Sequence, residues 1–141
     1  MSIAFVEIET TDQLAQAFEL LKELAPQIVK ADFMASLDHE LMQNHKLFGL
    51  TEGGRLVSVA AVWMLMTGLL EKILWIYGFV TTEPMRSKGY GKKLLQEIEH
   101  YAQKENFHEI RVHTHRELAR HFWEDTVDFE WFSGVLRKPV R

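Results

Sequence analysis

The consecutive residues Arg86-Ser87-Lys88-Gly89-Tyr90-Gly91 place two cations, a hydroxyl and two glycines directly ahead of an amphipathic run. Behind them Tyr90, Leu94, Ile98 and Tyr101 recur at helical spacing; in front, the apolar run Ile73 to Val80 reads as a buried strand. A strand, a basic glycine-containing loop and a helix start together make an anion site. The first N–H groups of a helix lack intrahelical partners, and its dipole favours negative charge there. Glycine lets the backbone approach a phosphate closely and adopt positive φ. Arg86 and Lys88 add side-chain charge, and Lys92 adds a contact on the first helical turn. The chemistry indicated is capture of a pyrophosphate, against the plainer alternative of a solvated charged turn.

The spacing disfavours the two common nucleotide loops. A dinucleotide fingerprint needs a third glycine where Leu94 stands, and a P-loop needs Ser or Thr after Gly-Lys, where Lys93 stands. Chain position argues the same way, because the loop comes late and follows a run of antiparallel strands.

The elements that must position this loop can be read in order. Ile3 to Glu9 is β-rich. Thr10 and Gln13 have capping-box spacing, and Leu14, Ala17, Phe18, Leu21 and Leu24 mark a helical face that Pro26 ends. A second helix is predicted from about Lys30 to His45, with Phe33, Met34, Leu37, Leu41 and Met42 facing the core or a substrate wall. Strands follow at Lys46–Thr51, Arg55–Met66 and Glu71–Thr81, the first two joined by the turn signal Glu52-Gly53-Gly54. Short connections make these three antiparallel neighbours. Gly78, inside the third, marks either a bulge or a packing gap. After the loop helix, which is expected to reach Glu105, come a strand over His108–Thr114, a short helix over Glu117–Thr126 and an aromatic strand over Asp128–Arg137. The single crossover implies parallel pairing of the Ile73 and Ile110 strands. The order β-α-α-β-β-β-α-β-α-β is a mixed α/β layer.

Length and composition narrow the function. The 141 residues fit one domain over 1–141, and 47% hydrophobic content supplies a core. No apolar run approaches the ~20 residues of a membrane span, and the N-terminus lacks the basic flank of a signal peptide, so the expectation is a cytoplasmic protein. A net charge of −4 argues against nucleic acid as a partner. There is no cysteine, hence no disulfide, thiolate nucleophile or Cys-based zinc site.

With these residues in place, the chain resembles the GCN5-related N-acetyltransferase (GNAT) superfamily. The resemblance rests on Val80-Thr81 at the strand end, Arg86 to Gly91, and Lys92 to Leu95 opening the helix, with looser support from Ala119 and Phe122-Trp123. It implies a GNAT-type mixed sheet with helices on both faces and a splayed parallel pair of strands around a loop that binds acetyl-CoA. Backbone groups around Phe79, Val80 and Thr81 would hold the pantetheine arm and polarise the acetyl carbonyl, while Arg86, Ser87, Lys88, Gly89, Tyr90, Gly91 and Lys92 would hold the pyrophosphate. It implies an N-acetyltransferase acting on an amine. The alternative is a CoA- or acyl-CoA-binding module or interaction domain that has lost catalysis.

Trp123 stands where the family commonly has a tyrosine, and an indole N–H is not a useful acid, so Trp123 is expected in the core. Tyr77 stands where relatives tend to carry acidic residues and is a candidate acid or a pocket wall. His113 and His115, two apart at a strand end, face the same way and can accept the amine's proton; they also fit a polar strand-end pair. With His121 and Glu117 nearby the spacing is not read as a metal site, and Glu83 is read as a solvated turn residue. Phe129, Trp131 and Phe132 offer an edge for a homodimer.

Overall fold

The computed structural model describes residues 2–113 and 122–140. One five-stranded sheet runs in spatial order β1-β2-β3-β4-β5, formed by Ile3–Glu7, His45–Glu52, Arg55–Met66, Lys72–Thr81 and Glu109–Val112. The first four strands pair antiparallel, and β5 pairs parallel to β4. The α-helices among the described residues are α1 (Thr11–Leu21), α2 (Lys30–Ser36) and α3 (Tyr90–Lys104). The mixed sheet and the parallel β4–β5 pair are those expected from the sequence.

Local chemistry accounts for the element ends. At the start of α1, Thr10 Oγ1 accepts from the Gln13 N–H at 3.1 Å and Gln13 Oε1 accepts from the Thr10 N–H at 3.3 Å, the reciprocal capping box. The β2–β3 hairpin closes at Glu52 and Arg55, and Gly53 and Gly54 both have positive φ, 58° and 83°. A two-residue turn of this hand matches the twist of its strands.

The sheet carries an apolar layer on each face. On one, Phe48, Leu50, Leu74 and Ile76 meet Leu94, Leu95 and Ile98 of α3. On the other, Leu47, Leu56, Val59, Ala61 and Val80 meet Ala17, Leu20 and Leu21 of α1. Trp123 is 5% exposed and closes the α3 side, its ring 5.0 Å from Phe79 and 5.1 Å from Phe129. It is a core residue, as its chemistry predicts. Replacing Trp123 with alanine is expected to cost about 3–5 kcal/mol, because a large buried ring leaves a cavity; urea denaturation followed by far-UV circular dichroism would measure it.

Two expectations need correction. The helix predicted from Lys30 to His45 ends at Ser36, and a 3₁₀ turn spans Glu40–Met42. His39 Nδ1 accepts from the Leu41 N–H at 3.1 Å, and this local bond restarts the chain from an extended residue instead of continuing the helix. No α2 residue is buried, Leu41 is exposed, and only Phe33 of the expected stripe packs against the α1-side core. The aromatic segment Asp128–Arg137 forms no strand. Strand-forming side chains act through pairing and packing rather than alone, and the segment meets no ladder partner among the described residues. Asp128 turns its start aside with φ 61°, and Trp131, Phe132, Val135 and Leu136 are left exposed. The helix expected over Glu117–Thr126 lies partly outside the described residues; its end, Phe122–Thr126, is a π-helical turn.

Candidate active site

β4 is irregular where the site forms. Ala61 pairs with Gly78 and Val62 with Ile76, so Tyr77 is the extra residue of a bulge. Gly78 follows the extra residue directly, as the bulge reading expects, and an added Cβ would lie 3.3 Å from the Ala61 Cβ and 3.5 Å from Leu21 rather than in a packing gap beside Trp75 or Tyr77. Beyond the bulge β4 runs on to Thr81, whereas its pairing with β5 ends at Ile76 and Val112. The pairing therefore stops there, and from Tyr77 onward this edge of β4 has no strand partner among the described residues. The Thr82 N–H donates to the Val57 carbonyl, toward β3. Peptide groups alternate direction along a strand, so the backbone groups of Phe79 and Thr81 point to the open side. The Thr81 carbonyl confirms this, since it accepts from Arg86 Nε. Ser58, fully buried, fixes the other side: its Oγ donates to the Val80 carbonyl at 3.2 Å and lies 3.0 Å from Thr81 Oγ1.

The loop follows at once. A 3₁₀ turn at Glu83–Met85 leads into Ser87 with φ 66° and Gly89 with φ 82°, and Gly89 is the N-cap of α3. The first donor to re-enter the helical ladder is Lys93, to the Gly89 carbonyl. The Tyr90, Gly91 and Lys92 N–H groups therefore face outward at the positive end of the dipole. Nothing lies within 4 Å of a Cβ built on Gly89, whereas one on Gly91 would meet Phe79 at 3.4 Å and Phe122 at 3.6 Å. Gly89 serves the backbone turn, and Gly91 lets α3 lie close on β4.

The loop side chains divide in use. Arg86 donates through Nε to the Thr81 carbonyl and through Nη2 to Glu23, both at 3.0 Å, tying the loop to the chain beyond α1. Among the described residues Lys88 reaches only Met85 Sδ, at 3.7 Å, and, like Lys92, it is exposed. The Tyr90 ring packs toward the α3-side core, and burial together with the Glu52 carboxylate pushes its phenol above the ordinary value. Tyr90 thus presents its N–H, not its phenol, at the start of α3.

On the α1 side of the bulge, Tyr77 OH lies 3.0 Å from His45 Nδ1. The His45 ring stacks on Trp63 with centroids 6.0 Å apart and planes 10° apart. Burial lowers the His45 pKa below its usual 6.5 and raises that of Tyr77 above its usual 10.0. A neutral imidazole can thus accept from a phenol that stays protonated, which is a proton path ending at the bulge. His45 was not among the candidates drawn from the sequence. His113 sits where β5 ends, beside the parting of the strands, and the histidine bonded to Tyr77 is His45. His115 lies outside the described residues.

Comparison with known proteins agrees with this geometry. The model of the Acetyltransferase (GNAT) family matches residues 12–129. An uncharacterized N-acetyltransferase of Bacillus subtilis, YhdJ, is 27% identical over 95% of this chain and 96% of its own length. A GNAT family acetyltransferase structure from Staphylococcus aureus superposes with a TM-score of 0.78 at 21% identity, covering 99% of this chain and 100% of that one. An aminoglycoside N-acetyltransferase in complex with CoA gives a TM-score of 0.78 at 15% identity, covering 99% of this chain and 95% of that one.

Proposed function

Because the chain belongs to the acetyltransferase (GNAT) family, we propose that it moves an acetyl group from acetyl-CoA to an amine by direct transfer within a ternary complex. The observation that carries this reading is the continuity of the β4 edge with the loop: the backbone of Phe79 and Thr81, which meets no strand partner on that side among the described residues, runs straight into the start of α3. The residues fit the group. Ser87 to Lys92 present backbone N–H groups and two exposed lysines to a pyrophosphate, and Arg86 keeps their loop in shape.

Acetyl-CoA supplies an activated thioester, whose thiolate would leave with the second proton that the attacking nitrogen sheds on forming the amide. Phe79 and Thr81 backbone groups would hold the pantetheine arm, and an N–H from this edge would donate to the acetyl oxygen as charge develops. An alkylammonium has a pKa near ~10 and must lose a proton before its nitrogen can attack. Tyr77 takes that proton on its oxygen while passing its own to His45 Nδ1, so the charge ends on imidazolium. No cysteine exists to carry the acetyl group, which favours direct transfer over a thiol-bound acetyl enzyme. The reading treats residues 1–141 as one domain and places it in the cytoplasm, with acetyl-CoA. No described helix is long and apolar enough to cross a membrane. It seats a second copy on the exposed Trp131 and Phe132.

Two measurements test it. CoA is expected to raise the melting temperature, and acetyl-CoA with a broad amine panel is expected to release thiol. Failure of CoA to shift the melting temperature at millimolar concentration overturns cofactor binding. Saturable CoA binding without amine-dependent thiol release leaves the binding module in place of the enzyme.

A further inference from the structure

We propose that the aromatic shelf beside the β4 bulge is the acceptor subsite, and that it takes a primary amine carrying an aromatic group on a short alkyl chain. The inference rests on the acetyltransferase reading for the position of the reacting carbon and on its own geometry for the class of amine.

The shelf is built by register. His45 pairs with Trp63, and Trp63 with Trp75, so three rings stand side by side across β2, β3 and β4. The Trp63 and Trp75 centroids are 6.5 Å apart; His45 stacks on Trp63 from the other side and meets the Tyr77 ring edge-on at 5.3 Å. Trp63 is 41% exposed and Tyr77 48% exposed. These are large, part-exposed rings carried on strands, and an aromatic ligand packing on them buries area with little loss of side-chain freedom.

Position gives the spacer. The Tyr77 hydroxyl lies 3.0 Å from His45 Nδ1, and the His45 ring is centred 6.0 Å from that of Trp63. An amine nitrogen at that hydroxyl therefore places a ring on Trp63 when a short alkyl chain joins them. Charge narrows the class further. The Arg111 guanidinium lies 5.8 Å from the Trp75 ring and 5.0 Å from that of Phe132, and its Nε is paired with the Glu109 carboxylate. A second ammonium, as in a diamine or polyamine, finds that carboxylate already held by a cation, whereas a neutral aromatic ring needs no such partner. The recorded partners of His45, Trp63, Trp75 and Tyr77 among the described residues include no carboxylate that would favour a second cation.

Isothermal titration of the full chain, saturated with CoA, with phenethylamine, tryptamine, putrescine and spermidine tests this without requiring turnover. The aromatic monoamines are expected to bind about tenfold more tightly than putrescine, and Trp63→Leu to remove that advantage while CoA affinity stays unchanged. Equal or tighter binding of putrescine or spermidine overturns the proposal, as does no amine binding at all. Unaltered aromatic-amine affinity in both Trp63→Leu and Trp75→Leu also overturns it. Thiol release is read separately: Trp63-dependent amine binding without thiol release sinks the transfer reading and leaves the subsite standing, whereas thiol release with only aliphatic diamines sinks the subsite and leaves transfer standing.

Discussion

Gly89→Val is expected to weaken CoA binding by about tenfold to a hundredfold, with little change in the fold. Gly89 holds φ 82° as the N-cap of α3, and the left-handed region is costly for a β-branched residue. The space around it is open, with nothing within 4 Å of an added Cβ, so the protein interior does not resist the side chain. The effect falls on the backbone turn that aims the Tyr90, Gly91 and Lys92 N–H groups, and on the space a phosphate would take. Calorimetric titration with CoA measures it, with circular dichroism to confirm that α3 persists. Gly89→Ala should lie between wild type and valine, because it carries the φ cost with less bulk. If valine binds CoA as wild type does, the pyrophosphate is held elsewhere and the assignment of this loop fails.

The loop could be read from sequence because its signal is local. Gly89, Gly91 and the basic residues between Arg86 and Lys92 lie within a few positions of one another, and a helix start has fixed chemistry whatever surrounds it. The parallel β4–β5 pair was legible for a similar reason, since one helical crossover leaves few alternatives. The His45–Tyr77 pair was hidden by registry. Counting back from the Gly53-Gly54 turn in a regular hairpin sets His45 opposite Val62, which faces the α3 side. An irregularity between Leu50 and Thr51 moves the register by one, and His45 stands opposite Trp63. A second irregularity, between Ala61 and Val62, leaves Tyr77 unpaired in the bulge. A one-residue slip exchanges the faces of a sheet; Gly78 signals the second irregularity without saying which neighbour is left unpaired, and no residue signature marks the first. The C-terminal strand was misread for the opposite reason. Its composition satisfied a local rule, while strand formation depends on a partner that composition does not specify.

The pH dependence of turnover separates His45 from the histidines that sequence favoured. His45 must be neutral to accept a proton through Tyr77, and burial lowers its pKa below 6.5. In kcat, measured with both substrates saturating, activity should hold constant from neutral pH down past 6.5 and fall only below that value as imidazolium forms. Tyr77 is shifted the other way, above 10.0, so its phenol stays a donor throughout and adds no loss on the alkaline side below that value. His45→Gln should lower kcat by about a hundredfold to ten-thousandfold and remove the acid limb, because glutamine can hold a hydrogen bond to the phenol but takes no proton. Tyr77→Phe keeps the ring and cuts the path at its hydroxyl, so it should lower kcat by a comparable factor and leave CoA affinity intact. The two losses should not add, since each variant breaks the same relay. Stability follows the same sign. A histidine held neutral by the fold costs the folded state progressively as pH falls below 6.5, where the unfolded chain binds a proton that His45 resists; His45→Gln should flatten that slope in the melting temperature. Retention of the acid limb in His45→Gln, with its loss in His113→Gln, would move the base to the end of β5 and leave Tyr77 as a wall of the acceptor site.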